Sequence, residues 1–171
     1  MDFYDVVKTR RSHRIFKSGM IPSKEKIERI LNAARLAPTW ANKQGMHYIV
    51  VQQPEKLKAV WNAIGQEKKF VNAPIFIVGA ISEAGSGANK NENYYPVDFG
   101  ICFEHLILAA TAEGLGTCWI GWFDEKEVKE VLEIPKRYRV LAITPLGYPI
   151  KEKGEVRDRK PLEEIVHYDK Y

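Results

Sequence analysis

Asp98-Phe-Gly-Ile-Cys-Phe-Glu-His-Leu-Ile-Leu-Ala-Ala-Thr-Ala-Glu113, followed by Gly114, is the stretch on which the fold turns. Asp98 suits an N-cap and Gly114 a C-terminal stop, so the spacing predicts a helix over 98–113. Its apolar residues surround most of the circumference instead of forming one stripe. A helix apolar all round has to be covered on every side. A chain of 171 residues has few elements to do that, so a partner subunit is the natural second cover. Glu104-His105 interrupts the run and keeps it short of a membrane span. His105 reads as a core histidine. Glu104 reads as the polar position facing solvent or an interface.

Outward from this helix, Ile75-Phe-Ile-Val-Gly-Ala-Ile81 is a strand apolar on both faces, and therefore central. His47-Tyr-Ile-Val-Val-Gln52, Thr117-Cys-Trp-Ile120 and residues 139–146 read as further strands. Ile27, Ile30, Leu31 and Ala34 recur at helical spacing, which predicts a helix over 23–36 ended by Pro38. Asp2 can cap a first helix to about Thr9. Pro54 can open a helix bearing Leu57, Val60, Trp61 and Ile64. Asp124 and Glu127 make a capping-box-like pair, and Pro161 can start a last short helix. Residues 82–97 are polar, rich in small residues and aperiodic. They read as a floppy surface loop or a lid. The alternation is not one of regular βαβ units. The expected architecture is α+β: a single domain over residues 1–171, with a central mixed sheet and helices on both faces.

Composition narrows the function. Hydrophobic residues are 45% and charged residues 28%, and 26 bases against 22 acids give a net charge of +4. Acids and bases are interspersed, so no nucleic-acid stripe stands out and no nucleic-acid partner is expected. Cys102 and Cys118 form no C-x-x-C pair and read as buried free thiols in a reducing compartment. Asp2 and Asp5 precede any apolar run, so no signal peptide is read and a cytoplasmic, membrane-free protein is expected. No two of the four histidines fall at metal-ligand spacing, and no metal is expected. There is no P-loop, G-x-G-x-x-G, H-E-x-x-H or G-x-S-x-G, and nothing suggests a nucleophilic triad or a dedicated acid–base residue.

Two basic clusters remain. Arg10-Arg11-Ser12-His13-Arg14 lies near one end and Arg157-Asp158-Arg159-Lys160-Pro161 near the other, roughly 145 residues apart. Guanidinium groups are planar, permanently charged and able to bind phosphate bidentately. Folded together, the clusters would make one phosphate-sized site.

An ordered set of segments then carries a resemblance. Arg10-Arg-Ser-His-Arg-Ile-Phe16, Ala37-Pro-Thr-Trp-Ala-Asn-Lys-Gln44, Asp98-Phe-Gly-Ile101, Gly114-Leu-Gly-Thr-Cys-Trp-Ile-Gly121, Pro145-Leu-Gly-Tyr-Pro149 and Arg159-Lys-Pro-Leu-Glu-Glu-Ile-Val166 resemble, in order, signatures of the nitroreductase family of FMN-dependent NAD(P)H oxidoreductases. The resemblance implies an intertwined homodimer with FMN at the subunit interface. It implies that Arg10, Arg11, Ser12 and Arg14 on one side, and Arg157 and Arg159 on the other, bind the FMN phosphate, with Arg11 the member that can point elsewhere. Pro38, Thr39, Trp40 and Asn42 would approach the flavin from the partner subunit, Asn42 at the ring's polar edge. Ile120 and Gly121 would face flavin N5.

The implied activity is hydride transfer from NADH or NADPH through flavin N5 to a small acceptor, by a ping-pong mechanism. Alternatives within the same fold are an enone reductase, a dehalogenase or an oxygen-using enzyme. A non-enzymatic FMN sensor or store is a further one. The chain departs from the family pattern at Gly45-Met46, where Pro-Trp is common, at Trp122, where a small residue is common, and at Trp40, which is bulkier than usual. Trp40 and Trp122 would then border a substrate pocket favouring planar acceptors, nitroaromatics or quinones, by offset stacking.

Overall fold

The computed structural model describes residues 2–65, 70–90 and 92–171. Its helices are α1 (Phe3–Thr9), α2 (Lys24–Arg35), α3 (Pro54–Ile64), α4 (Tyr95–Ala112) and α5 (Glu125–Val131). Its strands are β1 (Met46–Val51), β2 (Ile75–Ser82), β3 (Gly116–Thr117) and β4 (Tyr138–Gly147), in the sheet order β1-β2-β4-β3. All three strand pairings are antiparallel. This corrects the expected mixed sheet. Among the described residues, parallel pairing is confined to single bridges, Ser12 with Thr117 and Ile15 with Val71. The N-terminal segment meets the sheet residue by residue there and never forms a ladder.

β2 is central, as its sequence predicts, and alternation sorts its side chains. Phe76, Val78 and Ala80 join Val60 and Ile64 of α3 and Val128 of α5 in one buried cluster. Ile75, Ile77 and Ile81 join Ile27 and Ile30 of α2 and Phe99, Phe103 and Leu106 of α4 in the other. The sheet is thus covered by α3 and α5 on one face and by α2 and α4 on the other. Each fully buried side chain of this size contributes about 1.5–3 kcal/mol.

Gly79 belongs to the α4 face. A Cβ there would stand 2.8 Å from Phe99 Cζ, and Phe99 stacks on Phe103 at 5.2 Å. The β2–β4 register shifts between Gly79 and Ala80, so the glycine marks both a bulge and a close approach.

Side chains cap three helices, two of them as the sequence predicts. Asp2 accepts from Asp5 N–H, Ser23 from Lys26 N–H and Asp124 from Glu127 N–H. α4 does not follow the sequence. It starts three residues early, at Tyr95-Pro96, because Pro needs no N–H donor in a first turn. Asp98 therefore sits inside the helix instead of capping it. His105 is exposed, not core, since it falls on the outward face beside Glu104. Val97 is 45% exposed on the same face, so within one chain α4 is covered on only part of its circumference. The predicted strand over 117–120 shortens to β3, with Ile120 pairing only singly to Ile143. The predicted last helix is one 3-10 turn, Leu162–Glu164.

Candidate functional site

The two basic clusters meet. After α1, the chain runs beside β3, where His13 N–H donates to the Thr117 carbonyl at 2.7 Å. Four hydrogen bonds tie residues 153–156 to residues 8–12. Val156 N–H donates to Lys8 O at 2.9 Å. Arg11 Nη1 donates to the carbonyls of Glu155 at 3.1 Å and Lys153 at 3.4 Å. Lys153 Nζ donates to Ser12 O at 2.7 Å.

The result is a cavity of about 320 Å³ lined by Arg10, Arg11, Ser12 and Arg14 from one end and Lys153, Arg157, Asp158 and Arg159 from the other. Arg11 is spent on holding the segments together. Arg10, Arg14 and Arg157 have no side-chain hydrogen bond or ion pair among the described residues. Asp158 is the one acid in the wall. Burial, and then the charges of Lys153 and Arg11, hold the His13 imidazole below its ordinary value of 6.5. A second hollow of about 350 Å³ shares Arg10 and Arg159 with this cavity and runs along Val7, Glu104 and Leu108.

Residues 37–45 lie elsewhere in the chain. Pro38, Thr39, Trp40 and Asn42 do not line the basic cavity. They form a hook around a 3-10 turn, Trp40–Asn42. Ala41, Asn42 and Gln44 all take positive φ, at 46°, 55° and 54°, a region that non-glycine residues seldom occupy. The Thr39 hydroxyl accepts the Gln44 N–H at 3.0 Å.

The hook is locked to residues 82–97, which are therefore not a floppy loop over their described part. A Cβ on Gly45 would lie 2.3 Å from Gly85 O, and a Cβ on Gly87 would lie 2.1 Å from Trp40 Nε1. The Trp40 ring also packs on Tyr94 at 4.7 Å. Its bulk anchors the loop, and the ring remains half-exposed. Asp98, 2% exposed, joins the two segments. It accepts the Trp40 N–H at 2.9 Å and the Ser86 Oγ–H at 2.6 Å. One turn on, burial and then the charge of Asp98 push the Cys102 thiol up.

The segment after β3 is held by the sheet. Ile120 is buried, and its N–H and C=O both pair with Ile143, at 2.9 and 3.0 Å. Its N–H is thus unavailable to a ligand. Gly121 faces open space, and Trp122 is 77% exposed and lines none of these hollows. Trp119 donates through Nε1 to Glu104 at 2.9 Å and stands edge-on to Phe103 at 4.7 Å.

A third cavity, about 830 Å³, lies between α2 and β1. It includes Thr39, Gln44, Tyr48 and Cys102. Its rim carries Glu25 and Glu28 as well as Arg29 and Arg35, so it lacks the single-sign wall that would select an anion. The basic cavity is the better-matched chemistry despite its smaller size. Among the described residues, no three His, Cys, Asp or Glu side chains gather as a metal set. No helix there is long and apolar enough to cross a membrane.

The sequence profile of the nitroreductase family matches residues 7–84 and 65–148. The chain belongs to the nitroreductase family. An Archaeoglobus fulgidus protein, provisionally named NADH dehydrogenase/NAD(P)H nitroreductase, is 34% identical over 97% of this chain and 97% of its own. The crystal structure of a nitroreductase family protein from Clostridium novyi NT is 38% identical and superposes with a TM-score of 0.83, over 90% of this chain and 89% of that one. An FMN-dependent nitroreductase from Clostridium difficile R20291 is 29% identical, with a TM-score of 0.82 over 98% and 99% of the two chains.

Within this nitroreductase-family chain, sequence reading missed Lys153, Ser86 and Asp98 as organising residues. Lys153 sits in a run of charged residues, Lys151-Glu-Lys-Gly-Glu155, whose pattern does not single it out. Asp98 matched an N-cap so well that its buried role had no separate signal.

Proposed function

We propose that this chain is an FMN-dependent NAD(P)H oxidoreductase acting as a homodimer on a small planar acceptor. One observation carries the reading: three arginines that have no side-chain partner among the described residues converge, with Arg159, Ser12 and Lys153, on a single cavity of about 320 Å³. That donor set fits a phosphomonoester, which presents several acceptor oxygens and close to two negative charges. FMN, when bound, supplies the hydride chemistry at N5, alternately reduced by NAD(P)H and oxidised by the acceptor.

The chain's residues supply binding and position. Arg10, Arg14, Arg157 and Arg159 hold the phosphate with the Ser12 hydroxyl. Arg11 and Lys153 hold the C-terminal segment that carries Arg157 and Arg159. The adjoining hollow along Val7 and Leu108 gives the rest of the cofactor an apolar wall continuous with the phosphate site. Gly121 allows close approach of the backbone, and Ile120 fixes it through the Ile143 pair. Thr39 and Asn42 reach the ring from the second subunit, which accounts for their distance from the basic cavity. No side chain is needed as a nucleophile, and none is assigned as acid or base. The face of α4 that carries Val97 and His105, left open in one chain, supports a subunit interface. Residues 1–171 act as one domain in this reading.

The phosphate assignment is tested with riboflavin, which lacks that group. Hydrogen bonds to charged groups contribute about 1.5–3 kcal/mol each, and a tenfold change in affinity is about 1.4 kcal/mol. Flavin fluorescence titration of the apoprotein is expected to show riboflavin binding at least roughly 100-fold more weakly than FMN. Equal affinities would rule out the basic cavity as the phosphate site.

A further inference from the structure

The hook at residues 39–45 holds three consecutive or near-consecutive non-glycine residues, Ala41, Asn42 and Gln44, in the left-handed region. Such geometry persists only where the surroundings enforce it. Internal bonds close the hook on itself through Thr39. They do not fix it to the rest of the molecule. The fixation comes from the 82–98 side: the Gly45–Gly85 crossing, the Gly87 seat under Trp40 and the Lys43 ammonium on Ser86 O at 2.7 Å. One side chain touches both segments at once. Asp98 uses one carboxylate oxygen for the Trp40 N–H and the other for the Ser86 hydroxyl. Hydrogen bonds to a carboxylate are the stronger kind, and Asp98 is shielded from water that would compete for them.

We infer that Asp98 is a positioning residue of the cofactor site: it clamps the strained hook to the 82–97 loop in the shape that carries Thr39 and Asn42 toward the cofactor. The inference rests on the proposed role of those two residues. Asp98 itself touches neither cofactor nor acceptor; it acts through the Trp40 backbone. The same contacts account for two of the chain's departures from the family pattern, Gly45 and Trp40. Gly45 admits the Gly85 carbonyl, and Trp40 fills the space over Gly87.

The test uses Asp98→Asn, which is nearly isosteric but removes the charge, and Ser86→Ala, which removes one of the two bonds and covers the case in which the first variant does not fold. Amide hydrogen exchange is read at Trp40 and residues 42–44 with and without FMN. FMN affinity and the visible circular dichroism of bound flavin are read beside it. The expected result is roughly tenfold faster exchange in the hook, unchanged exchange in β2, roughly tenfold weaker FMN binding and an altered flavin band. Unchanged exchange in the hook would overturn the clamp and leave the FMN reading intact. Faster exchange with unchanged affinity and flavin band would overturn the positioning role, and with it the assignment of Thr39 and Asn42. A parent protein that binds no FMN would defeat the proposed function itself.

Discussion

At the scale of single residues, the arginines divide by what they already touch. Arg10 and Arg159 belong to both the basic cavity and the hollow beside it. Arg10→Ala or Arg159→Ala is expected to weaken FMN binding by roughly 10- to 100-fold, from the strength of charge-assisted bonds. Arg11 is different, because its guanidinium is committed to two backbone carbonyls. Arg11→Ala should loosen the C-terminal segment first, read as faster exchange at the Val156 amide, with a smaller effect on FMN.

His13 gives a pH dependence. Its folded value lies below 6.5, so the unfolded chain takes up the proton first. Stability from this group is complete above pH 6.5 and falls as pH drops below it toward the depressed folded value. His13→Gln should flatten that part of a denaturation-midpoint profile; an unchanged acid-side slope would show that His13 does not set it.

At the scale of elements, α2, α3, β1, β2 and β4 were legible in the sequence because each carries a clean period or an uninterrupted β-branched run. The start of α4 was not. Asp98 looks like a cap locally, and only the tertiary contacts of Trp40 and Ser86 reveal it as a buried junction. Residues 82–97 read as loose because their order comes from contacts with residues 40–45 and not from any internal period. The convergence of the two arginine clusters on one cavity was legible, since such clusters carry their charge openly. The role of Ile120 was not, because a bridge to Ile143 leaves no trace in residue type.

The glycine contacts make this scale testable. Gly45→Ala would push a methyl into the Gly85 carbonyl, and Gly79→Ala would push one into Phe99. Each should cost about 1–3 kcal/mol, as overpacking does, measured as a lowered denaturant midpoint. Gly19→Ala, with open space around its Cβ but a φ of 72°, should show only the smaller backbone penalty.

At the scale of the whole molecule, a single chain leaves apolar surface uncovered at both ends: Phe3 and Tyr4 of α1, and Leu162, Ile165 and Tyr168 beyond the basic cluster. A partner subunit would cover such surface. Static light scattering of the FMN-loaded protein is expected to give twice the chain mass; an active, FMN-bound monomer would contradict the two-subunit site. Initial rates at several fixed donor concentrations should give parallel double-reciprocal lines, as a ping-pong sequence requires.

The most direct measurement of the central claim is the visible spectrum of the FMN-reconstituted protein under anaerobic conditions. Addition of NADH or NADPH should bleach the flavin band, and later addition of a quinone or nitroaromatic should restore it, with no ternary complex needed. A protein that takes up no FMN, or whose flavin band neither nicotinamide bleaches, would contradict the account.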